Sequence, residues 1–443
     1  MFALALSSLR HRTAVFVAAF LALFFGAALV MSFGSLTDTA LGAGVDAASE
    51  ETLVIMGSVV GGWSLLLVVF AVTSTVTLGV RQRTKEIALL KSAGAVPGQL
   101  TRMILAEVLV LALVGAALAV PLGTAGGNLV LGLLQDSGQV EAGIAHSFGA
   151  VALGQGFGIT LLSAAGAALI TARRVTRMRV TESMGEAAAP RARMTGWRVG
   201  AGLLFLAGAA SLAVLTVTLG KGAGFEAQQY AGTADILFAL GLACFAPVIV
   251  RRLPLPGFGT AGALARETLR ARSAPLAAAL TPVVLFIGMG VGTLYMQDLD
   301  GEASAGLLPE EGQRTIETLN YVVTGMVSLF LCIMLINTLV ASTAARTREF
   351  AQYRLAGATP GQVQRMAVLE GLAVTVAGVV LGTLASLVTI LPFSYARTGT
   401  WTPDLDPFIY PATVALTAAV VLATSLLATR RALAVPVVSA VAV

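Results

Sequence analysis

The chain has 443 residues, 57% of them hydrophobic and only 12% charged, with a mean hydropathy of +0.87. Soluble domains carry about 25% charged residues, so a soluble fold is excluded and an all-α polytopic membrane protein is predicted. The formal net charge of +5 implies no nucleic-acid partner, because basic loops lying against anionic lipid produce the same excess.

Residues 1–13 form a short amphipathic start containing Arg10 and Arg12. The apolar run that follows, 14–33, resembles a signal peptide when taken alone. Leu4–Ala14 (LALSSLRHRTA), however, is similar to the internal Leu264–Ala274 (LARETLRARSA), and each precedes an apolar run, so 14–33 is read as a retained span. The second span covers about 53–80. RQRTKEIALLK contains no breaker, so its helix is expected to continue through Lys91, with Gly94 as C-cap and Pro97 opening a new short helix. The third span covers about 103–134, with Pro121 and nearby glycines expected to bend or break it. The fourth covers about 147–172. A polar, basic linker (173–198) leads to spans five (199–220) and six (231–250). The segment 251–262 then gives a flexible lead-in to span seven (274–297). Span eight (319–345), span nine (366–393) and span ten (409–429) complete a 4+2+4 arrangement. The expected units are 1–180, 181–260 and 261–443.

A long parallel repeat organises this layout. RTKEIALLKSAGAVPGQLTRMILAE, which begins at Arg83 and ends at Glu107, returns without a gap at an offset of 263 as RTREFAQYRLAGATPGQVQRMAVLE, which runs from Arg346 to Glu370. Such repeats are read before other features because they fix the architecture. An even number of spans between the copies places both on one membrane face. Of 28 lysines and arginines, all except Lys221, Arg314 and Arg397 then fall on that face, which makes it cytoplasmic and places both termini there.

Catalytic and cofactor motifs are lacking. No GxxxxGK[ST] occurs, and GFGTAG at 257–262 has no βαβ unit around it. His11, His146, Cys244 and Cys332 stand apart without ligand spacing, so no metal site, no cofactor in this chain and no enzymatic activity of its own are expected. The chemistry-bearing residues lie in the repeat, where a charged helix, a Gly-Ala-x-Pro-Gly break and a new helix would form a lever with an exposed tip. The candidates are Arg83, Lys85, Glu86, Lys91, Gly94 and Pro97 in the first copy. Their second-copy counterparts are Arg346, Arg348, Glu349, Arg354, Gly357 and Pro360. Ionisable or polar groups inside spans are functional candidates by default. Here they are Glu107 and Glu370, expected to pair with Arg102 and Arg365, together with Asn337 and Asp235, the latter placed near the outer end of span six.

The run NTLVASTAARTREFAQYRLAGATPGQ, 337–362, resembles the signature of FtsX-like (MacB-type) permeases of ABC transporters. Asn337, Thr338, Arg346, Glu349, Leu355, Gly357 and Ala358 match it. In the first copy Arg83, Glu86, Ile87, Leu90, Gly94 and Ala95 match, while Ser74 stands where the second copy has Asn337. The resemblance implies that the segments after spans two and eight couple to a homodimer of cytoplasmic ATPase subunits. Those subunits hold ATP and Mg, two copies serve each chain, and one permease chain acts as a pseudo-dimer in the bacterial cell membrane. The implied activity is export or extraction of amphipathic or hydrophobic molecules. The alternative is a mechanotransmitting permease that moves no substrate and controls an envelope partner such as a cell-wall hydrolase. An ion-coupled secondary transporter is disfavoured by the scarcity of mid-membrane charge. Membrane lipid is an expected partner.

Overall fold

A computed structural model describes residues 13–82, 84–177, 196–220, 224–253, 259–271, 273–304, 310–344 and 346–437. They form thirteen α-helices and no strand. These are α1 (Thr13–Ala40), α2 (Ala47–Gln82), α3 (Thr84–Ser92), α4 (Pro97–Asp136), α5 (Ala150–Arg177), α6 (Gly196–Leu219), α7 (Gly224–Arg252), α8 (Gly259–Ala271), α9 (Ser273–Ser304), α10 (Glu310–Ala344), α11 (Thr347–Leu355), α12 (Pro360–Thr398) and α13 (Ile409–Ala434). Ten of them are long and apolar enough to cross a membrane, as the composition predicts. In hydrocarbon only a helix satisfies its own backbone groups within one segment.

Helix α1 packs against α2, α4 and α5, while α9 packs against α10, α12 and α13. Small residues allow the closest of these approaches. A Cβ on Gly115 of α4 would lie 3.3 Å from Leu23 of α1, and one on Gly378 of α12 would lie 2.3 Å from Val283 of α9. Gly115 and Gly378 are related by the same 263-residue offset as the repeat. Such contacts supply the dispersion energy that replaces the hydrophobic effect between helices in lipid. Helices α6 and α7 pair with each other and lie against α9 and α12, and α7 also reaches α2. The two sets of helices meet where α10 lies against α1 and α4. Helix α9 is the most enclosed span and α6 the least; Leu203, Leu204 and Val214 of α6 face outward, as lipid-facing residues do.

Two expectations change, those for Pro121 with Pro97 and for the lead-in to span seven. In the second copy the chain does not run as one helix through Arg354, the counterpart of Lys91: α10 stops at Ala344 and α11 starts at Thr347, with Arg346 as N-cap at φ −99°, ψ 3°, while in the first copy α2 and α3 flank residue 83, which lies outside the described residues. The N–H of Arg346 reaches the Thr343 carbonyl at 3.0 Å, a tightened i to i−3 turn that frees α11 to change direction. Pro121 does not break its span, since α4 is continuous over 40 residues. That is about 60 Å at 1.5 Å per residue, twice the roughly 30 Å hydrocarbon core. Pro97 accordingly opens the long α4 itself, with no separate short helix. Finally, the stretch read as a flexible lead-in ends in helix: residues 259–262 open α8, whose Ala265 and Thr268 are buried and which packs on α12.

At the opposite end the connections are short. Asp38, in the last turn of α1, accepts from the backbone N–H groups of Gly149 (2.9 Å), Val151 (2.9 Å) and Ala152 (2.7 Å). A carboxylate from a distant residue thus caps the first turn of α5, where orphan N–H groups and the helix dipole favour an anion. His146 lies 3.0 Å from the Ser35 hydroxyl; burial lowers its pKa from the usual histidine value, with Asp38 opposing. In the second set, Tyr295 donates to the Asp406 carbonyl at 2.9 Å and Arg397 pairs with Asp300 at 2.7 Å.

Candidate functional site

Each copy of the repeat folds into the same elbow. Gly94 and Gly357 sit at φ +95° and +96°, a region open to glycine because it has no Cβ. The N–H of Ala95 donates to the Leu90 carbonyl (3.0 Å) and that of Ala358 to the Tyr353 carbonyl (2.9 Å), the bond that closes a Schellman helix end. Pro97 and Pro360 then take the first positions of α4 and α12, where a missing N–H costs nothing. In the second elbow Thr359 N–H donates to the Gln362 side chain (2.8 Å) and Gln362 N–H to the Thr359 hydroxyl (3.3 Å), a complete capping box. The first elbow has only the Gln99 half, accepting from Val96 N–H at 3.2 Å, because valine has no side-chain acceptor.

Behind the second elbow lies a buried ion cluster. The Arg346 guanidinium forks onto both carboxylate oxygens of Glu370, its Nη1 onto Oε2 and its Nη2 onto Oε1 at 3.2 Å. Its Nε donates to Glu349 at 3.3 Å. Tyr353 donates its hydroxyl to the other oxygen of Glu349 at 3.0 Å, and the guanidinium carbon lies 5.0 Å above the Phe350 ring. The side chains of Arg346, Glu349 and Glu370 are 12%, 8% and 2% exposed. Burial opposes the charge on Arg346, but the Glu370 and Glu349 carboxylates together outweigh it and raise the guanidinium above its ordinary value. Burial, and then the neighbouring Glu349, raise Tyr353. Ala265, Phe350, Val363, Met366 and Ala432 form an apolar cluster that ties α8, α11, α12 and α13 together.

The structure therefore divides the second-copy candidates. Arg346 and Glu349 point inward and hold α11 to α12, Arg348 is exposed, and Arg354 donates to the Leu433 carbonyl at 3.1 Å, fastening α11 to the end of α13. Glu370 pairs with Arg346 in place of the expected Arg365, which is exposed. In the first copy Glu107 is buried at the matching position on α4. Arg83 lies outside the described residues, as do the side chains of Lys85 and Glu86; Lys91 is half-buried. Charge patterning did not single out the apolar residues at the tips. Leu89, Val96 and Leu355 are 70%, 58% and 66% exposed. Both leucines lie beyond the last residue of the preceding membrane-spanning segment.

The remaining intramembrane candidates lie elsewhere. Asn337 is buried in α10 with no partner for Nδ2. Asp235 is buried in α7 against Gly288, midway along α9, deeper than the outer helix end where the sequence placed it. Between α2, α7, α9 and α10 lies a cavity of about 30 Å³ lined by Met56, Trp63, Gln228, Met289, Gln297 and Asn320 among others. No group of three or more metal-ligating side chains exists among the described residues.

No curated protein matches the chain in sequence. The sequence profile described as "FtsX-like permease C-terminal" matches it twice, over residues 58–180 and 321–437. Together the two segments span more than half of the chain and contain both elbows.

Proposed function

Because the chain belongs to the FtsX-like permease family, we propose that it is the membrane subunit of an ABC transporter, coupled at its two elbows to a cytoplasmic ATPase homodimer. The observation that carries this reading is the pair of matched elbows, each with an exposed leucine tip, the second with an ion-paired anchor at its base and the first with Glu107 buried at the position matching Glu370. Two equivalent docking points on one chain suit a two-fold symmetric partner. On this reading one chain supplies both halves of the membrane part, in the ten-span, MacB-type form with two four-helix units. It lies in the bacterial cell membrane with both termini cytoplasmic. ATP and Mg are held by the partner.

The path of force follows from the contacts. A partner pressing on α11 moves α12, because Arg346 bridges Glu349 of one and Glu370 of the other. Helix α12 is 39 residues long, about 58 Å, and packs closely against α9. Motion at the elbow thus reaches the opposite face, where Arg397 of α12 pairs with Asp300 of α9 and Tyr295 of α9 holds the approach to α13. The cavity between the helix sets is lined by apolar side chains and neutral amides and hydroxyls, with no charged group. We therefore assign the substrate to uncharged or amphipathic molecules that are exported or extracted from the membrane.

One observation favours a second reading. A volume of about 30 Å³ has room for one or two waters and not for a lipid, so a chain that only transmits motion to an envelope partner would need no wider opening. Both readings are tested by purifying the chain with its host's ATPases and following ATP turnover in lipid vesicles. The transporter reading predicts turnover stimulated by hydrophobic compounds and movement of them across or out of the bilayer. Stimulation by an envelope protein alone would favour mechanotransmission. Failure to capture any ATPase would overturn both.

A further inference from the structure

Asp235 lies outside both family-matched segments and carries an inference that does not depend on the ATPase partner. It is 1% exposed and nine residues along its span from Glu226, about 14 Å at 1.5 Å per residue. That depth is near the centre of a roughly 30 Å core. Its carboxyl rests on the backbone of α9: a Cβ on Gly288 would lie 3.0 Å from Oδ1, 3.4 Å from Oδ2 and 3.1 Å from the methyl of Ala385 on α12. Oδ1 has no hydrogen-bond partner.

Among the described residues, the helices around α7 bring no opposite charge to this carboxyl. On α9 the nearest titratable side chain to Gly288 is Tyr295, two turns away. On α12 the nearest charges to Ala385 are Arg397 and Glu370, each at least three turns away and each already ion-paired. On α6, Arg198 is spent on the carbonyls of Cys244 and Ala243. The described charges of α2 are Glu50 and Glu51 at its outer start, and Arg266 and Glu267 of α8 are exposed. On α7 itself the titratable groups are Glu226, Tyr230, Cys244, Arg251 and Arg252; none is within one turn of Asp235. An unpaired carboxylate at this depth is strongly disfavoured. Gly288 and the Ala385 methyl bring no side-chain oxygen, and no group of three metal-ligating side chains exists among the described residues, so the species that neutralises the site is a proton.

A route to water lies on the same face of α7. Gln228 is seven residues, two turns, before Asp235 and lines the cavity with Gln297, Asn320 and Thr324. Trp63 also lines the cavity, its ring against Gly232, three residues before Asp235, and its Nε1 donating to the Thr233 hydroxyl at 3.2 Å. We infer that Asp235 is a proton-binding site of the membrane interior, loaded when α7 is packed on α9 and α12 and emptied when α7 separates. On separation the carboxyl O–H breaks, and the proton passes to water entering past Trp63 from the outer face. The packed state therefore binds one proton more than the separated state. Raising the pH favours separation and lowering it favours packing, with a limit of tenfold in their ratio per pH unit.

The test uses the full chain in lipid nanodiscs with Trp197→Phe and Trp401→Phe, leaving Trp63 as the sole tryptophan, excited beyond tyrosine absorption, and with ¹³C-carboxyl aspartate. The expected results are a protonated-aspartate infrared band at neutral pH that Asp235→Asn lacks, and Trp63 emission that titrates with one-proton steepness in wild type and is flat in Asp235→Asn. Identical Trp63 titrations in the two proteins would overturn the inference. So would the absence of a protonated-aspartate band from the wild-type chain at neutral pH, a result that stands even if the variant fails to fold.

Discussion

Glu370→Gln separates an internal anchor from a docking residue. Glu370 is 2% exposed and accepts two of the guanidinium contacts of Arg346, itself 12% exposed. The amide keeps the size and removes the charge, leaving Arg346 with Glu349 alone. Removing one partner of a buried pair costs about 3–5 kcal/mol, because the other charge stays desolvated. The remaining Nε contact to Glu349 at 3.3 Å puts the expectation at the lower end, about 3 kcal/mol. Arg346→Met combined with Glu349→Gln and Glu370→Met removes all three buried charges and should cost less than Glu370→Gln alone. The assay is reversible unfolding of the purified chain in mixed micelles, without any ATPase present. A loss below about 1 kcal/mol for Glu370→Gln, the size of a solvent-exposed pair, would refute the anchoring role. It would return Arg346 and Glu349 to the partner-facing surface.

Three further outcomes follow from the structure. Leu89→Asp with Leu355→Asp should leave unfolding unchanged, since both side chains are exposed, while abolishing ATPase capture in a pull-down; normal capture would remove the tips from the docking surface. Asp38→Ala should destabilise the chain by about 2 kcal/mol, because three backbone N–H groups at the start of α5 lose their acceptor, and hydrogen exchange should rise there first. Gly378→Leu should cost about 1–3 kcal/mol by overpacking, since its Cβ alone meets Val283 at 2.3 Å, and Val283→Ala in the same chain should recover part of the loss in a melting experiment.

The ten spans and the two elbows were legible in the sequence, because length of apolar run, Gly-x-x-Pro punctuation and an ungapped repeat act locally. What was not legible depends on partners distant in sequence. Glu349 reads as a surface charge on a basic, polar helix, and its burial appears only when Arg346 and Tyr353 close over it. Arg365 is the nearer charge to Glu370 in sequence, yet Arg346 reaches it because the chain turns at that residue. The exposed leucines at 89 and 355 are the converse case: in an apolar sequence nothing marks two leucines as facing water. Helix α8 had one missed signal, Ala265 and Thr268 on a common face within LARETLRA. The depth of Asp235 depends on where α9 crosses α7, which no local pattern encodes.

The central claim, that this chain alone presents two equivalent sites to an ATPase dimer, is tested most directly by native mass spectrometry of the complex captured in mild detergent. The account predicts one copy of this chain with two ATPase subunits, and loss of both subunits together when the two tips carry aspartate. A complex containing two copies of this chain per ATPase pair, or a chain that binds no ATPase while folded and active, would contradict it.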